Sequence, residues 1–429
     1  MKKLLIILLM MALFVPMTGM ASAAEPTTLT FWTFAQSHHA FMESAAQRWN
    51  ETYPDRPIEL KAETQEYAGM HQNLTISLQS GSGAPDIVDI EIAQYTNYIT
   101  SEEEYIPLIP LNDIIEPDKE NLIMGRFDNY ANHGNYYGID YHVGATALMY
   151  NRDLFAEAGI NIEDINTWAD FVEAGKVMKE KTGKYIFAVE TTDLWTYYPL
   201  ITEQGSDFFD RETGEVIMDN QINIDTLQWL LDGIKEGYFV AVPGGDYHEE
   251  QWYGYMNEGN VASIAMPLWY LNRFTDFMPD LKGKMDVTTM PVWEEGQGNS
   301  AGLGGTGTSI TNQCQNVELA KEFLYFAKLS REGAIRTWTE LGFDPLRTDI
   351  YNDAEMTAPN TFTDFFSDNI YKVMDETSTS IFGLSNTNAL YPEAQSLAMN
   401  TVMYEVLVEQ SKTPEESLKG AADQLRSQQ

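Results

Sequence analysis

The sequence predicts an α/β protein of two large lobes joined by more than one chain crossing. Three observations predict it. Strand-like and helix-like patterns alternate from residue 27, and the alternation restarts after Tyr136-Tyr137-Gly138. No Pro- or Ser-rich linker separates the two halves. The length of 429 residues suits two domains rather than one. Hydrophobic residues make up 44% of the chain and charged residues 21%, enough apolar material for two cores and against intrinsic disorder.

Residues 1–24 read as an export signal. Lys2 and Lys3 precede the apolar run Leu4 to Val15, Pro16 and Gly19 break it, and Ala21-Ser22-Ala23 supplies the small-x-small cleavage pattern. Cleavage is expected after Ala23 or Ala24, and the lipid-anchoring cysteine of exported lipoproteins does not follow the run. The released chain is therefore expected to be soluble, periplasmic or secreted. No later stretch of about 18 apolar residues could span a bilayer.

TTLTFWTF is the first strand, and Phe41, Ala45, Ala46 and Trp49 mark a helix that ends before Tyr53-Pro54. IELKAET is the second strand. A helix from about Gly69 to Gln79 stops at Gly81-Ser82-Gly83, and DIVDIEI is the third strand. This order implies a parallel sheet with helices on both faces. GIDYHVGATALMYN is a long β-prone segment leading into the helix DLFAEAG. Asn166-Thr167 caps a helix running to Gly183, and KYIFAVE is a strand. Helices follow over Trp195–Gln204, Thr226–Glu236 and EQWYGYMNEG. VASIAMPLW is a strand, KMDVTTMPVW a crossing segment and AGLGGTGTSIT a glycine-rich strand. VELAKEFLYFAKLS is an amphipathic helix, and the C-terminal third is mostly helical.

With 26 Lys+Arg against 64 Asp+Glu, the net charge of −38 disfavours nucleic acid and anionic membrane surfaces as partners. The single cysteine, Cys314, excludes an internal disulfide and a thiolate metal cluster. No nucleophile elbow, zinc-binding helix or phosphate loop is present. Asp89/Glu91 and Glu249/Glu250 are the carboxylate pairs a glycosidase would need. Asp219 to Asp225 alternates oxygen ligands without the calcium-loop glycine, which reads as a solvated edge. His38-His39 reads as polar loop residues or ligand donors. Gly302 to Gly307 implies close backbone approach to a neighbouring lobe or to a ligand. No metal and no cofactor is expected.

Aromatic residues are 12% of the chain, and several stand beside carboxylates or amides: Trp32 with Gln36, Asp193 with Trp195, and Trp252 with His248 and Glu249. Such pairs suit a sugar, whose C–H face packs on an aromatic plane while its hydroxyl rim hydrogen-bonds to carboxylates and amides. Gln36, Glu91, Asp193 and Trp269 fall after strands, where open α/β sheets bind ligands.

In order, the chain carries TLTFWTFAQSHHAF, SGSGAPDIVDIE, ALMYNRDLFAEAGI with TWADF, NEGNVASIAMPLW and ELAKEFLYFAKLSREG. The series resembles the extracellular sugar-binding proteins of bacterial ATP-driven importers, the family that includes maltose-binding protein. The likeness runs from about Leu29 to Leu425, and Tyr150-Asn151-Arg152-Asp153-Leu154 with Gly159 and Thr167-Trp168 is its most specific part. It implies a two-lobed periplasmic binding protein fold with three inter-lobe crossings and a central ligand cleft. The crossings would fall near His142–Gly144, Asp286–Val292 and Phe343–Arg347. The N-lobe would comprise 25–142 with 292–344, and the C-lobe 143–291 with 345–429.

Residue by residue, the resemblance implies ligand contacts from Gln36, Ser37 and His39 after the first strand and Glu91 after the third. Asp193 and Trp195 precede Pro199-Leu200-Ile201, and Trp269 is the aromatic of the strand-ending Pro267-Leu268-Trp269. Tyr391, Trp252, Tyr141, Asp344 and Gly304 complete the expected set. Gly144 replaces the hinge glutamate of maltose-type members, which argues against maltose. Members for lactose and arabinose-containing saccharides are closer in pattern. The implied function is a non-enzymatic, monomeric receptor that closes on an oligosaccharide and delivers it to an ABC-type membrane permease. A polyamine receptor of the same fold is the alternative, followed by a secreted glycosidase. Salt dependence separates sugar from dication.

Overall fold

The computed structural model describes residues 24–99 and 102–429. The export signal, apart from Ala24, lies outside the described residues. The first sheet contains β1 (Thr27–Thr33), β2 (Ile58–Thr64), β3 (Ile87–Glu91) and, far later in the chain, a strand over Thr306–Ile310. A two-residue hairpin of β4 (Ala131–Asn132) and β5 (Asn135–Tyr136) follows. The second sheet contains β6 (Thr146–Asn151), β7 (Tyr185–Val189), β8 (Phe239–Ala241), β9 (Val261–Pro267) and β10 (Met285–Thr289), which makes Thr306–Ile310 β11. The strand orders are β11-β3-β1-β2 and β10-β6-β9-β7-β8.

β1, β2 and β3 are parallel, with Phe31 opposite Ala62 on one side and Ile87 on the other. β11 adds antiparallel to β3, because it enters from the second lobe and not through a strand–helix–strand unit. Of the long segment 138–151, only Thr146–Asn151 forms a strand, and its six residues are all buried. It pairs antiparallel with both β9 and β10.

The helices around these sheets follow their apolar faces. Gln36–Thr52 buries Phe41, Met42, Ala45, Ala46 and Trp49. Tyr67–Ser80 starts two residues before Gly69 because the Glu66 carboxylate accepts from the Ala68 and Gly69 N–H groups. Thr167 and Asp170 form a capping box for Trp168–Thr182. The acidic segment 219–225 is solvated at Gln221, Ile222 and Asp225, but it is a helix start rather than a sheet edge. Asn220 caps a helix over Gln221–Glu236, and the fully buried Asn223 amide donates to the Asp207 and Met218 carbonyls at 3.0 and 3.1 Å.

The chain passes between the sheets at three places, and each is stitched to another. The Val143 N–H donates to the Asp344 carbonyl at 2.9 Å, and Ala145 bridges Gly302. Asp286 lies inside β10, so the second passage begins after Thr289 rather than at Asp286. Val292 bridges Thr167, and Trp293 packs on Trp168 and Trp229 with ring centroids 6.1 and 5.3 Å apart. The return to the first sheet therefore runs through Ser300 to Gly305, whose Ser300 hydroxyl donates to the Thr146 carbonyl at 2.8 Å.

One segment touches both lobes. Near residues 380–388 the Leu384 N–H donates to Asn129 at 2.8 Å and the Asn386 amide to the Asn129 carbonyl at 3.0 Å. The Ser385 N–H meets Asp207 at 2.8 Å. Pattern reading, which placed all of 345–429 in one lobe, contains no signal for this strap.

Candidate ligand-binding cleft

A cleft of about 410 Å³ opens where the carboxyl ends of β3 and β7 face each other. From the first lobe come Tyr67, Glu91 and Gln94. From the second come Asp193, Trp195 and Tyr198. Leu303 and Gly304 of the return passage form part of the wall, and Tyr391, Gln395 and Met399 present one helical face spaced by four residues.

Glu91 ends β3 and caps the following turn through the Ala93 N–H at 2.9 Å. The Tyr67 hydroxyl donates to Glu91 Oε2 at 3.2 Å, and the Gln94 amide donates to the Tyr67 hydroxyl at 3.3 Å. Burial pushes the Glu91 carboxyl up to about 7, against the opposing effect of these donors. Asp193 is raised by burial to about 6, although it accepts from the Leu194 N–H at 2.7 Å. Both acids are thus poised near neutrality inside a partly apolar slot.

Trp195 is held from below. Buried Glu190 accepts from the Trp195 N–H with one oxygen and from the Tyr247 N–H with the other, both at 3.0 Å. The Trp269 ring meets Trp195 edge-on at 5.3 Å and lies parallel to His248 at 5.9 Å. The Trp269 indole N–H donates to the Leu303 carbonyl at 3.2 Å, which ties this aromatic pair to the passage between lobes. Burial lowers His248 to about 4, so it stays neutral beside the two indoles.

The glycine-rich segment makes close backbone approaches to side chains of both lobes. Gly304, at φ 68°, lies against the Trp195 and Trp269 rings. Gly305, at φ 155°, lies where a Cβ would sit 2.5 Å from the Arg126 guanidinium and the Tyr130 hydroxyl. Behind it the fully buried Arg126 pairs with Asp140 at 2.5 Å and donates to the Gly304 carbonyl at 2.6 Å. The guanidinium holds the Asp140 carboxyl below its usual range against the cost of burial.

Of the residues expected from sequence, Glu91, Asp193, Trp195, Gly304 and Tyr391 line the cleft, and Trp269 buttresses it. Gln36 and Ser37 are exposed at the start of the first helix, outside the cleft lining. His39 turns to Thr64 Oγ1 at 2.8 Å and to Glu43. Three assignments need correction because their side chains are packed inside the lobes. Trp252 is 0% exposed and donates to the Tyr270 hydroxyl at 3.1 Å. Tyr141 stacks on His38 at 3.8 Å and donates to Asp89 at 3.1 Å. Asp344 accepts from the Gly144 and Ala145 N–H groups at 3.2 and 2.8 Å, so it braces the crossings.

Neither proposed carboxylate pair flanks a substrate position. Asp89 is buried and spends its oxygens on Thr33, His38, Tyr141 and Thr308, while Glu249 and Glu250 are exposed. Tyr67, Gln94, Tyr198, Gln395 and Met399 were missed. Tyr67 follows the carboxyl end of β2 as Glu91 follows β3, a signal the sequence did contain. The i, i+4, i+8 row Tyr391, Gln395, Met399 was another.

Comparison with known proteins agrees with the two-lobed α/β fold. The family model described as bacterial extracellular solute-binding protein matches residues 35–333. The chain is 45% identical over 402 residues to an arabinooligosaccharide-binding protein of Halalkalibacterium halodurans, covering 94% of this chain and 89% of that one. It is 42% identical over 407 residues to an arabinooligosaccharide-binding protein of Bacillus subtilis, covering 93% and 92%. The GacH receptor of Streptomyces glaucescens shares the fold with a TM-score of 0.74 at 19% identity, covering 94% of this chain and 98% of that one. A binding protein of B. animalis subsp. lactis Bl-04 in complex with beta-1,6-galactobiose does so with a TM-score of 0.72 at 17% identity, covering 94% and 98%.

Proposed function

The chain belongs to the bacterial extracellular solute-binding protein family, and from that premise we propose that it is the receptor for arabino-oligosaccharides of an ABC importer. The observation that carries the reading is the cleft itself. Aromatic faces of Trp195, Tyr67, Tyr198 and Tyr391 stand among the hydrogen-bonding ends of Glu91, Gln94, Asp193 and Gln395, divided between two lobes. The aromatic faces take the C–H side of a pentose ring, and the carboxyls and amides take its hydroxyls. Glu91 and Asp193, raised toward neutrality, suit an uncharged polyol better than a polyamine, which would require fully ionised partners.

Ligand binds the open form and bridges the lobes, so its energy appears as preference for the closed state. The closed form, released as a soluble exported protein, then presents both lobes to a membrane permease. In this reading its lobes are 25–142 with 306–344 and 143–299 with 345–429, joined in part by the return passage over 300–305, with the strap near 380–388 shared between them. On the same reading the ligand leaves unaltered, as suits a chain whose relatives are named as binding proteins.

Calorimetry against arabinobiose to arabinotetraose, lactose, maltose and spermidine tests the reading. The arabino-oligosaccharides are expected to bind, with little change in affinity on adding salt, and to yield no new reducing ends on incubation. Binding of spermidine alone, or of maltose in preference, would overturn it.

A further inference from the structure

We infer that His71 is a positioning residue of this cleft: its neutral imidazole joins Tyr67 to Glu91, and ligand affinity depends on that ring staying unprotonated. The inference rests on the cleft being the saccharide site proposed above.

His71 lies one turn into the helix Tyr67–Ser80 and is 5% exposed. Its Nδ1–H donates to the Tyr67 carbonyl at 2.8 Å, and its Nε2 accepts from the Glu91 N–H at 3.2 Å. Only the neutral Nδ1–H tautomer satisfies both bonds, because a doubly protonated ring has no acceptor. The ring also packs at 4.7 Å on the Tyr67 ring and at 5.3 Å on Phe34. One side chain therefore sets the main chain of a residue at the end of β3 and the ring of a residue at the start of the helix. Tyr67 and Glu91 both line the cleft and bond to each other at 3.2 Å.

The groups facing His71 are Glu66 and Tyr67 on its own helix, Asp89 and Glu91 on β3, and Tyr98, whose hydroxyl donates to the His71 carbonyl at 3.3 Å. Burial lowers the imidazole's proton affinity, outweighing the Tyr67 carbonyl and the charges of Asp89 and Glu66. When the ring does take a proton, two N–H groups point at each other across the Glu91 bond. The end of β3 must then shift, and with it the Glu91 carboxyl that caps the Ala93 turn.

The test compares wild type, H71Q and H71F, with arabinotriose as the probe, by calorimetry between about pH 8 and 4.5, and reads the wild-type imidazole by nitrogen NMR. H71Q can return an acceptor to the Glu91 N–H but cannot titrate. Wild type and H71Q are expected to bind alike at pH 8, with wild type weakening relative to H71Q only toward the acid end of the range, because burial lowers the ring's proton affinity below that of a free imidazole. H71F is expected to bind roughly tenfold more weakly at pH 8, the scale of one buried hydrogen bond lost. The His71 resonances should show the Nδ1–H tautomer, a readout that stands even if neither variant folds. A constant wild-type to H71Q affinity ratio across the range, or an Nε2–H tautomer, overturns the inference. Failure of wild type to bind any arabino-oligosaccharide overturns the proposed function instead, while the tautomer still reports on His71.

Discussion

Replacing Glu91 by Gln isolates the more strongly shifted of the two carboxyls that line the cleft. The Glu91 carboxyl rises from 4.5 to about 7 on folding, chiefly through burial. A carboxyl with a raised folded pKa leaves stability intact below pH 4.5 and loses it as the pH climbs through 7, because the unfolded chain ionises first. At about 1.4 kcal/mol for each pH unit between the two values, the ionised group costs up to roughly 3 kcal/mol at pH 9. Gln keeps an acceptor for the Ala93 N–H and the Tyr67 hydroxyl and removes the charge. Urea unfolding from pH 5 to 9 should therefore show E91Q losing less stability than wild type, and its relative gain should appear between about pH 5 and 8. Asp193, raised to about 6, and Asp344, raised to about 7, keep titrating in both proteins, so a slope remains in E91Q. Saccharide affinity should follow the same arm, with E91Q holding its affinity at pH 9 better than wild type. Parallel stability profiles for the two proteins would refute the argument that Glu91 is held near neutrality by burial.

Two tryptophans should separate by assay. W195A removes a cleft face and is expected to weaken arabino-oligosaccharide binding by about 1–3 kcal/mol in calorimetry, whereas W252A should cost about 3–5 kcal/mol of unfolding free energy. Equal effects on both measurements would mean that the cleft is misassigned. G305A places a Cβ against Arg126 and Tyr130 at a φ reserved for glycine, so thermal unfolding should fall by several degrees, the result of about 1–3 kcal/mol lost. An unchanged melting temperature would show that the passage can move aside freely.

Much of the fold was legible because strands and helices write their periods locally. The run Ile87 to Glu91 needs no distant partner to read as a buried strand, and Thr167 with Asp170 announces a helix start three residues apart. Asp193 and Trp195 were legible as cleft residues for the same reason: they follow a strand. Trp252 was not. An indole beside His248 and Glu249 reads as a ligand platform along the chain, yet packing turns it to Tyr247 and Tyr270.

By itself the sequence determined two α/β lobes, an acidic exported character, the wall residues that follow strands and the family resemblance, since each follows from short-range pattern or composition. Only the tertiary structure decided which polar groups work together. His71 meets Glu91 across 20 positions, Gly304 meets Trp195 and Trp269 from another passage, and the strap at Ser385 reaches Asp207 and Asn129 in different lobes. A side chain's role is set by what burial leaves within hydrogen-bond reach, and that distance is fixed by packing between elements far apart in the chain.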